Sequence, residues 1–519
     1  VVESHPRVSV IFKDVERAKA AELALEPPCW RDLHLDQLAG TMLAGRERYG
    51  LLPLLFAPLG DVDAVRWRQE VLADLDRSEV MAVIRAFTAA MATVRRDLEH
   101  AAHLFEPLQR QWWRLEAARV YCELVRALAA GLASAVPSSR GLRVLLEDVA
   151  AYVRGETFTS LAAEEAAVRA ALEKVCYCLL IGDDRVVVSA WRGEPDYRAE
   201  VTDAFARFRL ANVRAHQSGL SSRLEMDHVE AAIARHVAQL FPEAFGALAL
   251  FAESRGDFPD PTLVAVEREL QLLLAACELT ERASLPWCRP EVTEETSVFE
   301  AEACFDAALA LARNGEGRRI VANDVCVRAP ERFVVITGPN QGGKTTFARS
   351  LGQLAHFASL GLPVPAQRAR LPLFDAVLTH FGTEEDAGAA GSGKLRDDVV
   401  RLAELARSAS PRSFVVLNEL FSSTALADAV ELGRRVVDAL AGAGVLGVYV
   451  TFLDELATLE QVVSMVSEVD PDDPAVRTYR VSRRPADGRA YAMVLAARHG
   501  LDRERLLARL AAESGGASR

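Results

Sequence analysis

The sequence predicts a multidomain protein: an all-α region with one small β-hairpin set into it, followed by an α/β domain. Three observations predict it. Apolar residues recur three and four apart through about residues 13–290 of the 519-residue chain, with Val80, Ile84, Phe87, Met91, Val94 and Leu98 forming one such stripe. Inside that stretch, residues 175–191 read as two β-prone runs around the turn Gly182-Asp-Asp184. Beyond residue 290, short β-branched runs alternate with helical patterns, as in a parallel or mixed sheet covered by helices.

Composition limits the classes open to such a chain. It is 50% hydrophobic, enough for packed cores, and at about 150 residues per domain its length allows three or so domains. Acids outnumber bases 73 to 60, so a basic nucleic-acid coat is excluded and any nucleic acid must be met by a local basic surface or by an enclosing shape. No apolar run reaches the ~18 residues of a spanning helix, and the start, Val1-Val-Glu-Ser-His5, lacks a signal-like layout. The expectation is a cytoplasmic protein without a membrane partner. Eight scattered cysteines read as buried free thiols rather than a disulfide or zinc framework. Lysine occurs only at 13, 19, 174, 344 and 394, so 55 of the 60 basic residues are arginine.

In the α/β part the strand candidates are Phe333–Thr337, Ser413–Leu417, Leu446–Thr451 and Val462–Val466, with helices near 344–360, 396–409, 425–441 and 454–459. The segment from Arg477 onward reads as a hairpin around Pro485-Ala-Asp-Gly488, followed by a C-terminal helix.

Directly after the first of these strands stands Gly338-Pro339-Asn340-Gln341-Gly342-Gly343-Lys344-Thr345, a complete GxxxxGK[ST] motif opening a helix. Glycines let backbone N–H groups close around phosphate, and the helix N-terminus adds positive dipole. Lys344 can reach the β and γ phosphates, and Thr345 can ligate Mg²⁺. The strand at Ser413–Leu417 ends in Asn418-Glu419. In nucleotide-hydrolysing proteins with such a loop this place holds an Asp for the magnesium shell. A Glu that polarises the attacking water follows it. Glu419 fits the second role, while Asn418, a neutral amide, can offer only a weak metal ligand.

These features together resemble the MutS family of mismatch-repair ATPases, whose loop is much like Gly338 to Thr345 followed by Thr346. Asn418-Glu-Leu-Phe-Ser-Ser-Thr-Ala-Leu-Ala-Asp428 is similar to the family's DE…T…D block, with Thr424 and Asp428 in the matching places. Val450-Thr451 resembles a further strand end, and Asp487 to Tyr491 with Ala497 to Leu501 resembles the C-terminal element. Val321-Ala-Asn323 resembles the segment that holds adenine. The resemblance implies a helical core and lever at 1–290 with a clamp-like insertion around 130–235, then an ABC-type P-loop ATPase domain at 291–519. It implies ATP with Mg²⁺ and a homodimer closed around nucleotide, in which Gly393 and Lys394 contact the partner's phosphates. DNA is the implied macromolecular partner.

Departures from the family pattern qualify this. Asn418 replaces an Asp, Phe452 stands where a switch histidine follows the strand, and Ile320 stands where an aromatic would stack on adenine. The facing loop, usually G-x-S-x-F, is Gly391-Ser-Gly-Lys394-Leu. The helical core begins almost at once, leaving no room for mismatch-reading and connector domains. Phe251-Ala-Glu253 matches the family's F-x-E wedge but falls within a helical segment and reads as core.

Three further features carry alternatives. Thr379-His-Phe-Gly-Thr-Glu-Glu385 could serve magnesium or water, or be a solvated loop. Arg66-Trp-Arg-Gln-Glu70 and Trp112-Trp113 could stack on bases, or be core. Arginines 192, 198, 207, 209, 214 and 223 could face a phosphate backbone, or be a solvated face. Two functions fit the whole: a weak ATPase that dimerises around nucleotide and binds branched or damaged DNA, or a nucleotide-gated interaction protein with little turnover acting on protein or ribonucleoprotein partners.

Overall fold

A computed structural model describes residues 7–181, 185–194, 226, 228–283, 285–314, 320–382, 392–422, 424–470, 473, 476–486 and 507. In chain order its helices and strands begin with α1 (Val15–Glu22), α2 (Leu35–Met42), α3 (Val62–Leu75), α4 (Ser78–His103), α5 (Pro107–Ala135), α6 (Arg140–Arg154) and α7 (Glu156–Glu173). The hairpin β1 (Tyr177–Ile181) and β2 (Val186–Ala190) follows, then α8 (His228–Leu240), α9 (Pro242–Ser254) and α10 (Pro261–Arg282). The chain is therefore multidomain, with a helical N-terminal region and mixed α/β sheets in its C-terminal part.

Two compact units emerge. The first gathers the described residues of Val1–Val8, Asp74–Ser138 and Leu142–Glu267. Its centre is the pair α4 and α5, packed along one another. The predicted stripe is the reason: Val80, Ile84, Phe87, Met91 and Val94 are all buried. Helix α4 stops where Leu104 turns extended, and Pro107 opens α5 at a position where its missing N–H costs nothing. Strands β1 and β2 pair antiparallel from Tyr177↔Ala190 to Ile181↔Val186, as the sequence predicts. Phe251 is core within α9, and Trp113 packs edge-on to His100, whereas Trp112 is exposed. All eight cysteines are free, but only Cys29, Cys122 and Cys304 are buried and Cys176, just before β1, is exposed, which corrects the expectation that every thiol is buried.

The second unit gathers Ser9–Ala73, Ser139–Gly141 and the described residues of Arg268–Arg519. A four-stranded mixed sheet is built from β3 (Glu291–Thr293), β4 (Val298–Cys304), β5 (Asn323–Arg328) and β7 (Arg368–Pro372), in the order β3-β7-β4-β5. A six-stranded sheet is built from β6 (Phe333–Thr337), β8 (Ala376–Phe381), β9 (Ser413–Asn418), β10 (Leu446–Val450), β11 (Val462–Val469) and β12 (Arg477–Arg483). Its order is β12-β11-β6-β10-β9-β8, parallel except for β12. Strands β6, β9 and β10 are buried at every residue, the pattern of parallel strands covered on both faces. The covering helices are α12 (Lys344–Ser359), α13 (Ser392–Ser408) and α14 (Leu426–Gly442), while α11 (Ala307–Ala312) packs on α2. Residues 454–458 form a 3₁₀ turn rather than the α-helix expected there. Strand β12 pairs back onto β11, and the expected hairpin return and C-terminal helix lie outside the described residues.

The N-terminal stretch of this unit holds the back of α12 through polar side chains. Arg349 Nε donates to Asp32 O at 3.0 Å, Gln353 Nε2 to Leu33 O at 3.0 Å, and His356 Nε2 lies 2.9 Å from Leu55 O. Arg68, fully buried, donates from a terminal nitrogen to Leu360 O at 2.7 Å, just past the helix end. Trp67 is buried as well, its Nε1 on Val10 O at 2.8 Å, so this tryptophan is core.

Candidate functional site

Parallel register brings four strand ends into one row. Ile336 on β6 pairs with Val450 on β10, Val450 with Asn418 on β9, and Asn418 with Phe381 on β8. The residues just beyond, Gly338, Phe452, Glu419 and Gly382, therefore share one edge of the sheet, where ligands of open parallel sheets are taken. Phe452 is half-exposed there.

The glycine-rich loop turns from β6 into α12 at this edge. Gly343 is the N-cap residue with φ 90°, a conformation that a side chain would strain. Beneath it, buried Ser467 on β11 donates from Oγ to Gly342 O at 2.7 Å and fixes the loop from below. Lys344 folds back into the loop, with Nζ 3.0 Å from Gly338 O and 3.1 Å from Pro339 O. Burial holds the Lys344 ammonium below the usual lysine range; Glu419 nearby opposes that shift and Arg477 adds to it. Arg477 Nε donates to Asn340 O at 3.1 Å, so a second cation stands beside the loop.

Thr345 Oγ1 donates to Asn418 Oδ1 at 3.0 Å, joining the start of α12 to the end of β9. Glu419 follows with φ 52°, and its N–H donates to Val450 O at 2.9 Å, which pins the turn that carries its carboxyl. A divalent cation prefers hard oxygen donors and usually takes one or two carboxylates with phosphate oxygens. The Thr345–Asn418 pair offers two neutral oxygens already joined to each other, so this donor set does not fit Mg²⁺ in the manner a carboxylate would. Among the described residues no cluster of three His, Cys, Asp or Glu side chains could hold a metal.

The loop borders a cavity of about 520 Å³ whose lining includes Asn340, Gln341, Gly343, Lys344, Thr345 and Thr346 on one side. Glu419, Ile320, Val321 and Asn323 also line it. The structure thus brings together the loop, Glu419 and the segment at Asn323, residues far apart in sequence. Asn323 already bonds the edge strand: its Oδ1 accepts from Val481 N at 2.8 Å and its Nδ2 donates to Tyr479 O at 3.3 Å. Of Gly393 and Lys394 only the backbone is described, in the first turn of α13. Glu384, Glu385, the arginines at 198, 207, 209, 214 and 223, and the stretch from Asp487 to Leu501 lie outside the described residues.

Several lining residues escaped the sequence reading. Tyr479, with φ 59°, is half-exposed on β12 and lines the cavity together with Ile320. Phe305, Asp306 and Arg313 line it from the turn into α11 and just beyond that helix. Asp306 is buried and accepts from Leu309 N and Gln353 Nε2, linking this wall to α12. No motif marks these residues; only an aromatic within a predicted strand hinted at Tyr479.

A family model for MutS domain V matches residues 334–501. The DNA mismatch repair protein MutS of Granulibacter bethesdensis is 30% identical over 198 residues, covering 38% of this chain and 21% of that protein. That of Thermotoga sp. strain RQ2 is 34% identical over 144 residues, 28% of this chain and 18% of that protein. That of Caulobacter sp. strain K31 is 29% identical over 316 residues, 56% of this chain and 34% of that protein. The chain spans about a fifth to a third of the length of these relatives.

Proposed function

Because the chain belongs to the MutS family, we propose that it is a P-loop ATP-binding protein of the ABC type that dimerises around nucleotide, hydrolyses it slowly and acts on DNA. The observation that carries this reading is the row of strand ends that gathers Lys344, Thr345 and Glu419 around one cavity. In it, backbone N–H groups of residues 341–345 and the α12 dipole hold the phosphates. Lys344 exchanges the loop carbonyls for the β and γ oxygens. Glu419 accepts a hydrogen bond from the attacking water and aligns it with the γ-phosphorus. Val321 and Asn323 border the base, and the Tyr479 ring is the aromatic surface available to it.

The helical residues 1–290, with a clamp-like part around 130–235, are the DNA-contacting portion in this proposal, and 291–519 the nucleotide-binding portion. The DNA proposed is branched or damaged rather than simply mismatched, and the compartment is the cytoplasm. Among the described residues no helix is long and apolar enough to cross a membrane. Gly393 and Lys394 are proposed to meet the partner subunit's nucleotide, with Lys394 supplying charge that Phe452 cannot. Lys394→Ala should then leave ADP affinity intact and lower the ATP-dependent dimer fraction in light scattering; equal fractions would return Lys394 to the surface.

A second reading has one observation in its favour. The neutral Thr345–Asn418 pair suits a site that binds nucleotide with little turnover, gating contacts to protein or ribonucleoprotein. Measuring ATP turnover with and without branched DNA separates the two. Stimulation by DNA supports the ATPase reading, and undetectable turnover in both conditions rejects it.

A further inference from the structure

Nucleotide phosphates bring three or four negative charges to a site, and those charges must be met by cations, dipoles or a metal. Proteins with a phosphate loop usually divide the task between the loop lysine and Mg²⁺, which a carboxylate at the neighbouring strand end helps to hold. Here that strand end is Asn418, nine-tenths buried, with its amide oxygen 3.0 Å from the Thr345 hydroxyl. An amide carries no charge to attract a divalent cation, and equally none to repel a phosphate. An aspartate at this buried point would do both.

The other half of the balance sits on the opposite side of the loop. Arg477 on β12 bonds the Asn340 carbonyl at 3.1 Å, and Lys344 lies inside the same loop. Arg477 opposes the charge on Lys344, whereas Glu419 at the strand end favours it by the larger effect, so two cations and one carboxylate stand around the loop. Arginine keeps its charge at any working pH. Phosphate would relieve the repulsion between the two cations, a gain that the family's usual lysine-and-metal arrangement places on the metal.

We propose that this site takes nucleotide without requiring a divalent cation, with Arg477 and Lys344 together meeting the phosphate charge and Asn418 leaving the metal position unsupported. The inference rests on the nucleotide-binding reading above.

The test is the affinity of a fluorescent ADP analogue, measured by titration in magnesium chloride and in EDTA. For the parent protein the two dissociation constants should agree within about threefold, the scale of a weak surface charge interaction. Asn418→Asp should widen the ratio to about tenfold or more, losing affinity in EDTA through repulsion and regaining it with Mg²⁺ through a charged ligand. Arg477→Ala should weaken binding more in EDTA than in Mg²⁺. A parent protein that loses about tenfold or more in EDTA overturns the proposal, whatever the variants do. Equal loss in both buffers on Arg477→Ala overturns the part assigned to that residue. Failure of the nucleotide-binding reading is distinct: the analogue would then bind the parent in neither buffer, or bind Lys344→Ala as tightly as the parent.

Discussion

Replacing Gly342 by alanine tests how the phosphate loop is held. A methyl group there would sit 2.3 Å from Ser467 Oγ and 3.0 Å from Pro339 O. The serine cannot step aside cheaply, because it is buried on β11 and its hydroxyl is bonded to Gly342 O at 2.7 Å. Overpacking of this kind costs about 1–3 kcal/mol, and loss of the serine bond adds about 0.5–1.5 kcal/mol. The loop, standing at the surface of the cavity, is the part able to yield, so the strain should displace the N–H groups that face phosphate. At about 1.4 kcal/mol per decade, the clash alone corresponds to roughly 5- to 150-fold weaker ADP binding. Ser467→Ala removes the 2.3 Å contact and leaves 3.3 Å to the Ser467 Cβ. The double variant should therefore bind better than Gly342→Ala alone, with a coupling of about 1 kcal/mol or more. Calorimetric titration of ADP into the four proteins reads this directly. Parent-like affinity in Gly342→Ala, or no recovery in the double variant, would refute the argument.

Other substitutions address separate parts of the site. Lys344→Ala should abolish measurable ATP binding in a calorimeter, since the loop then meets phosphate with backbone dipoles and Arg477 alone; unchanged affinity would show that the nucleotide sits elsewhere. Glu419→Gln should remove slow ATP turnover while leaving affinity intact, because a neutral amide oxygen holds and polarises the attacking water far less than a carboxylate; turnover at the parent rate counts against Glu419. His356 is held neutral by burial, its pKa pushed down from 6.5 to about 4, with Leu55 O as partner. The folded value lies below the unfolded one, so this histidine costs nothing above about pH 6.5 and stability falls as the pH drops from there toward 4. The loss is about 2 kcal/mol by pH 5. His356→Gln, which keeps a donor for Leu55 O, should show a smaller fall in Tm between about pH 7 and pH 5; parallel falls would remove His356 as the cause.

Much of the α/β unit was legible because its chemistry is periodic or punctuated. Phe333–Thr337 emerges with the bounds read from the sequence, since a run of five buried apolar and β-branched residues before glycine has few other uses. Lys344, Thr345, Asn418 and Glu419 were identified by type and spacing, and register explains why they meet. Strands β3, β4, β5, β7 and β8 were missed. Arg368–Pro372 shows two arginines and a proline, which hid a strand that lies between β3 and β4, and β4 hides its alternation behind glutamates that face outward. Contacts made by backbone carbonyls were beyond reach altogether. Nothing in Asp32, Leu33 or Leu55 as side chains announces that their C=O groups serve Arg349, Gln353 and His356. The cavity wall at Phe305, Asp306 and Tyr479 was invisible for the same reason, since it depends on which distant turns are folded together.

The bonds from the N-terminal stretch to α12 bear on what could be inherited or transplanted as a piece. A fragment beginning near residue 290 would hold every loop and strand of the candidate site, yet its central helix would lose the acceptors for a buried histidine and glutamine and for Arg349. With these donors opened to water, each lost bond costs about 0.5–1.5 kcal/mol, together a sizeable share of what keeps any domain folded. Recombination that swapped the C-terminal half between relatives would have to carry residues 9–73 with it. The unit of exchange is thus set by carbonyl groups three hundred residues upstream, rather than by the motif itself.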